Sequence, residues 1–224
     1  MPPLLDALLA LIMVALAALT LLDRQLVRAC VWFVAFALAV SLTWLSEGFL
    51  WLAMLEAVLG ATFTGAFLFY SLGIGPGAAK PRGRLARWHD PLPLPLTWRR
   101  AVLRLLPALA VLGMLALALA GFIEVPGPLR LGGMGLIFMG LWAFALHRHL
   151  LRRLLAFNVI GTGIFLIMMA LVRNSSPAAG HGLVITGLLV ALLGTALGAL
   201  LIRRINGLDA SREPATDVAE RGSG

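Results

Sequence analysis

The sequence predicts an all-α integral membrane protein of about seven transmembrane helices, with the N-terminus outside and the C-terminus cytoplasmic. Three observations carry that prediction. Of 224 residues, 61% are hydrophobic and only 12% are charged, whereas soluble domains run about 45–50% apolar and about 25% charged. The apolar residues gather into seven runs of membrane length, and roughly 20 residues cross the ~30 Å hydrocarbon core. The basic residues sort onto alternate connections, as positive-inside topology requires. Seven such helices use about 140 residues. What remains serves loops and a tail, not a soluble domain of ordinary size.

Taken in order, the runs cover residues 4–22, 26–45, 47–72, 101–123, 129–146, 154–172 and 182–202. Lipid offers backbone N–H and C=O groups no partner, so the runs must be helices or strands of a closed barrel. Barrel strands alternate apolar and polar positions over about ten residues. No such alternation is present. The first run lacks the basic start of a signal peptide, because residues 1–5 carry no Lys or Arg and Asp6 is acidic. It is expected to be a retained helix.

Of 18 basic residues, all but Arg130 and Arg173 fall on one side when connections are assigned alternately. The net charge of +8 and the pI near 11.5 therefore report topology, and no nucleic-acid partner is expected. Residues 73–100 are a linker: Gly73, Gly75, Pro76, Gly77, Pro81, Pro91, Pro93 and Pro95 interrupt regular structure, and the basic residues hold the segment in water. The linker divides a three-helix part (1–72) from a connecting helix (101–128) and a second three-helix part (129–206). The polar stretch 207–224 contains Pro214 and mixed charges, and is expected to be a disordered cytoplasmic tail.

The signatures of soluble enzymes are missing: no CxxC, HExxH, GxxxxGK[ST] or GxSxG. No catalytic residues, cofactor or metal are expected. Gly73, Gly75 and Gly77 follow an apolar run and open no helix, so they read as a flexible exit from the membrane. His147 and His149 stand at i,i+2, which points their rings apart on a helix, so interfacial basic residues are the expectation. Cys30, the one cysteine, excludes intrachain disulfides and reads as a small buried residue.

Glu56 stands apart. The other nine acidic residues lie at helix ends, in loops or in the tail, whereas Glu56 falls inside the third run. A carboxylate at that depth costs several kcal/mol unless it is protonated, paired or wetted. One reading is a proton or cation relay; the other is a neutral glutamic acid hydrogen-bonded to a neighbouring helix or subunit. Asn158, Gly161 and Thr162 form a second polar, small-residue face at i, i+3, i+4, read either as helix–helix hydrogen bonding or as ion coordination. In the last run Gly187, Ala191, Gly194, Thr195 and Gly198 make a small-residue stripe suited to close helix approach.

Two stretches carry a family resemblance. Residues 149–167 (HLLRRLLAFNVIGTGIFLI) and 181–191 (HGLVITGLLVA) resemble the C subunit of Mrp-type multisubunit sodium/proton antiporters, the K subunit of respiratory complex I and a counterpart in membrane-bound hydrogenases. Residues 48–65 (GFLWLAMLEAVLGATFTG) resemble the small domain at the end of the large Mrp subunit, the Mrp B subunit and the J subunit of complex I. There Glu56, Ala57 and Gly60 match a Glu-Ala-x-x-Gly pattern whose glutamate is membrane-embedded and implicated in the ion path. Two departures stand out. Trp51 replaces the family's aspartate five residues before the glutamate, and Asn158 stands where the K-type subunit of complex I has a carboxylate.

The resemblance implies a B-like part fused to a C-like part, forming a non-catalytic transport subunit of a bacterial cytoplasmic membrane. Its partners would be other membrane subunits and the bilayer. Glu56 would be the titratable group of the ion path, Asn158 and Thr162 its polar helpers, and Gly60, Gly161, Gly187, Gly194 and Gly198 the packing positions. A hydrogenase-like redox-driven pump and a purely structural scaffold remain as alternatives.

Overall fold

The computed structural model describes residues 3–73, Leu106, Gly113, and residues 128–147, 149–172 and 177–221. The predicted helix over 101–123 and the linker beyond Gly73 lie outside them, apart from Leu106 and Gly113, both helical. Every regular element described is a helix: α1 (Pro3–Leu22), α2 (Leu26–Ser46), α3 (Leu50–Leu55), a π-helical segment (Glu56–Thr64), α4 (Gly65–Ser71), α5 (Pro128–Leu146), α6 (Leu150–Val172) and α7 (Pro177–Arg221). Five stretches are long and apolar enough to cross a bilayer: Leu4–Leu22, Leu26–Ser46, Leu50–Ser71, Leu150–Ala170 and Gly182–Ile205. Arg130–Leu146 is also apolar but shorter.

Local chemistry sets the boundaries. Between α1 and α2, the Asp23 carboxylate accepts from the Gln25 N–H (3.0 Å) and from Trp32 Nε1 (3.2 Å), and it pairs with Arg28 (3.0 Å). Helix α2 ends in a Schellman motif: Gly48 takes φ +88°, its N–H donates to Leu45 O, and the Phe49 N–H donates to Trp44 O. That turn occupies residues 47–49, so the third helix starts at Leu50, later than the apolar run suggests. Gly73, at φ +75°, ends α4 in the same left-handed conformation. Helix α6 begins at Leu150, four residues earlier than its apolar run, which places Arg152 and Arg153 inside the first turn. Helix α7 runs to Arg221, through the polar stretch read from composition as a disordered tail. Pro214 lies inside it and donates no backbone hydrogen bond, while Ala, Glu and Arg in that stretch favour continuation.

The elements close into a ring. Helix α1 packs on α2 and on α5; α2 packs on the α3–π–α4 helix; that helix packs on α7, α7 on α6, and α6 on α5. Helices α2 and α6 also meet across the middle. The core is built from helical-spaced positions, Met13, Ala17 and Leu21 on α1, Phe33, Phe36 and Val40 on α2, and Leu151, Leu155 and Val159 on α6. The outward faces carry Leu11, Leu42, Val190, Leu193 and Leu197, as a lipid-facing surface requires. Lipid supplies no hydrophobic drive between helices, so close backbone approach matters. The α5–α6 seam shows it: a Cβ added at Gly163 would lie 2.7 Å from the Gly133 carbonyl oxygen, and one at Gly140 would lie 3.1 Å from the Ala156 carbonyl oxygen.

Candidate functional site

Glu56 opens the π-helical segment, about 9 Å along the axis from Leu50 at 1.5 Å per residue. The winding has a local cause. The Thr62 and Thr64 hydroxyls donate five residues back, to Ala57 O (3.1 Å) and Leu59 O (2.8 Å), and Gly60 and Gly65 bracket the turn with minimal bulk. Short π-helical insertions inside membrane-length helices cluster at functional sites. Gly60 is where the Glu56 side chain lies, since a Cβ there would collide with Glu56 Oε1. Gly65 lets the segment approach Val34 of α2. Glu56 is 5% exposed, and its carboxyl makes no hydrogen bond or ion pair among the described residues.

The carboxyl borders a cavity where α2, the π-helical segment, α6 and α7 converge. Phe33, Phe36, Phe165 and Leu188 form its apolar walls, and Glu56, Thr64, Asn158 and Thr162 are its polar lining. Three sequence-selected polar positions, from both parts of the chain, thus come together. The cavity volume is about 20 Å³, above the ~10–15 Å³ that one water needs.

The hydrogen bonds define what the cavity presents. Asn158 Nδ2 donates to Leu154 O (2.9 Å) and to Thr195 Oγ1 (2.9 Å), which uses both of its protons. The Thr195 hydroxyl lies within donating distance of both Ala191 O (2.8 Å) and Asn158 Oδ1 (3.1 Å), and its single proton leaves Asn158 Oδ1 with acceptor capacity. The Thr162 hydroxyl donates to Asn158 O (3.1 Å), and Thr64, as noted, donates to Leu59 O. Every proton on the cavity's neutral polar side chains is committed to another group. The lining is therefore a set of acceptors facing Glu56, suited to a protonated carboxyl, a water or a small cation.

The packing glycines divide. A Cβ at Gly187 would strike the Phe165 ring, and one at Gly198 would lie 2.9 Å from Leu154 Cδ1. At Gly194 the nearest atom is Phe157 Cε1 at 3.8 Å, an ordinary contact. Gly161 meets nothing within 4 Å among the described residues, and the close seam of α6 within the chain runs through Gly163, two residues on and on another face. Sequence reasoning also left out Thr64, the pairing of Thr195 with Asn158, and the glycines at 133, 140 and 163. The only signals were the four-residue spacing of Glu56, Gly60 and Thr64 and the place of Thr195 in the small-residue stripe.

His147, just past the end of α5, is buried against the bundle, with Nδ1 2.9 Å from Ala143 O. Among the described residues no three His, Cys, Asp or Glu side chains gather as metal ligands.

Residues 128–213 match the family described as NADH-ubiquinone/plastoquinone oxidoreductase chain 4L, which covers α5, α6 and most of α7. The second part of the chain is thus similar to a membrane subunit of a complex I-like assembly. No curated protein and no solved structure matches the chain.

Proposed function

We propose that this chain is a membrane subunit of a multisubunit ion-translocating assembly, of the complex I-like or Mrp antiporter kind, in a bacterial cytoplasmic membrane. It contributes helix packing and one buried carboxylate to the path of protons or sodium ions, and has no catalytic residue of its own. The observation that carries this reading is the meeting of Glu56, from the B-like part, with Asn158 and Thr162, from the C-like part, around one cavity lined by acceptors. A group placed only for packing would have no use for a water-sized space beside it. Larger antiporter-like subunits would supply the intramembrane cations that Glu56 lacks among the described residues.

The matched family is an oxidoreductase chain, and this favours a redox-driven pump as the second reading over a pure antiporter. Purification of the native assembly separates the two, since iron–sulfur absorbance and co-purifying redox subunits belong only to the redox-driven pump. The ion-path role is tested by Glu56→Gln, which keeps the side chain's shape and removes its ability to ionise. The expected outcome is normal assembly with translocation abolished or sharply reduced. Full translocation by the variant would leave Glu56 a structural residue and overturn the proposal.

A further inference from the structure

Arg152 stands out among the charged residues because it is 2% exposed, the largest fully buried side chain described. Its Nη1 donates to Leu21 O at 2.9 Å and its Nη2 donates to Asp23 O. These carbonyls belong to the last turn of α1 and the residue after it, where helix carbonyls have no intrahelical partner and the dipole attracts a cation. The turn that Arg152 grips is itself held to α2, because the Asp23 carboxylate binds Arg28 and Trp32 Nε1. One guanidinium therefore ties the start of α6 to the joint of α1 and α2, across 129 residues of sequence.

The tie lies on the helix that carries half of the cavity's polar lining. Asn158 follows Arg152 by six residues, about 9 Å along α6, and Thr162 lies just over one turn further. The opposite wall comes from α2, through Phe33 and Phe36. Fixing α6 against the base of α2 therefore sets both the depth and the rotation at which Asn158 Oδ1 and Thr162 Oγ1 face Glu56. Arg suits this task better than Lys, because its planar fork reaches two carbonyls at once and stays charged when buried.

We infer that Arg152 is a positioning residue for the ion path: by clamping the start of α6 to the terminal carbonyls of α1, it holds Asn158 and Thr162 in register with Glu56. This rests on the ion-path reading of Glu56, and the test separates the two. The whole assembly is purified with Arg152→Met, Arg152→Gln and Arg152→Lys. The probe is the infrared carboxyl band of Glu56, identified by its loss in Glu56→Gln. Arg152→Met is expected to assemble, to shift that band, and to lower translocation on the order of tenfold or more, as misplacement by about 1 Å does.

Arg152→Lys, which reaches at least one carbonyl, is expected to restore part of both readouts. Arg152→Gln keeps a donor without the charge and reads the same geometry if Arg152→Met fails to assemble. An unshifted band with unchanged translocation in an assembled Met or Gln variant overturns the inference. Loss of assembly in all three makes Arg152 a folding determinant and overturns it as well. If Glu56→Gln transports fully while the band still shifts in Arg152→Met, the ion-path reading fails and the clamp stands.

Discussion

Gly60→Ala is the smallest change that addresses the carboxyl without touching it. The added methyl would overlap Glu56 Oε1 and approach Cδ at 3.0 Å, while Ala37 Cβ at 3.7 Å is an ordinary neighbour. The carboxyl must therefore move, by on the order of 1 Å, to reach normal contact distance. Holding it off its preferred rotamer costs about 0.5–1.5 kcal/mol. Replacing glycine by alanine in a helix interior returns roughly 1 kcal/mol. The two nearly cancel, so the assembly should form and melt within about 1 kcal/mol of the parent.

Function should not be spared, since a 1 Å displacement of a reacting group costs up to about 100-fold. Ion translocation by the variant in sealed vesicles, normalised to assembled protein, is expected to fall between about tenfold and 100-fold. Gly161→Ala is the matched control on the neighbouring helix, where the new methyl meets nothing within 4 Å, and it should translocate normally. A Gly60→Ala assembly working at the parental rate would refute the view that space at residue 60 places the carboxyl.

Two further changes read the packing around the cavity. Thr195→Val removes the acceptor for one Asn158 Nδ2 proton at 2.9 Å, and a lost interhelical hydrogen bond in a membrane protein costs about 0.6–1.7 kcal/mol. An unchanged unfolding midpoint in a denaturing-detergent titration would show that the bond contributes nothing. Gly163→Ala drives a methyl to 2.7 Å from the Gly133 carbonyl oxygen, a backbone atom that cannot swing aside. Overpacking of this kind costs about 1–3 kcal/mol, so a thermal scan should show a lower melting temperature; a parental value would refute the tight α5–α6 seam.

The membrane-length helices were legible because a backbone in lipid must satisfy itself, which leaves long apolar runs few alternatives. Glu56 was legible for the converse reason, being an acid where acids are costly. Less visible was anything that depends on which face of one helix meets another. Gly161 shares a helical face with Asn158 by spacing, yet the close seam of α6 runs through Gly163. Arg152 counted toward the basic side in the charge sorting, which does not distinguish a snorkelling arginine from one buried against the carbonyls of a distant helix. The π-helical winding rests on back-bonded threonines and paired glycines, residues that equally suit an ordinary apolar helix. The bond between Asn158 and Thr195 spans 37 residues, beyond the reach of local pattern.

The orientation of a few hydroxyl and amide protons also sets what the cavity's neutral lining presents to an occupant. Thr64, Thr162, Thr195 and Asn158 all turn their protons into the helices. An anion entering beside an ionised Glu56, whether chloride or hydroxide, would meet lone pairs from these groups rather than donors. A protonated species meets the same oxygens as a ready-made shell. On the proposed ion path, discrimination by the sign of the charge would then rest partly on neutral side chains, beyond the carboxylate of Glu56.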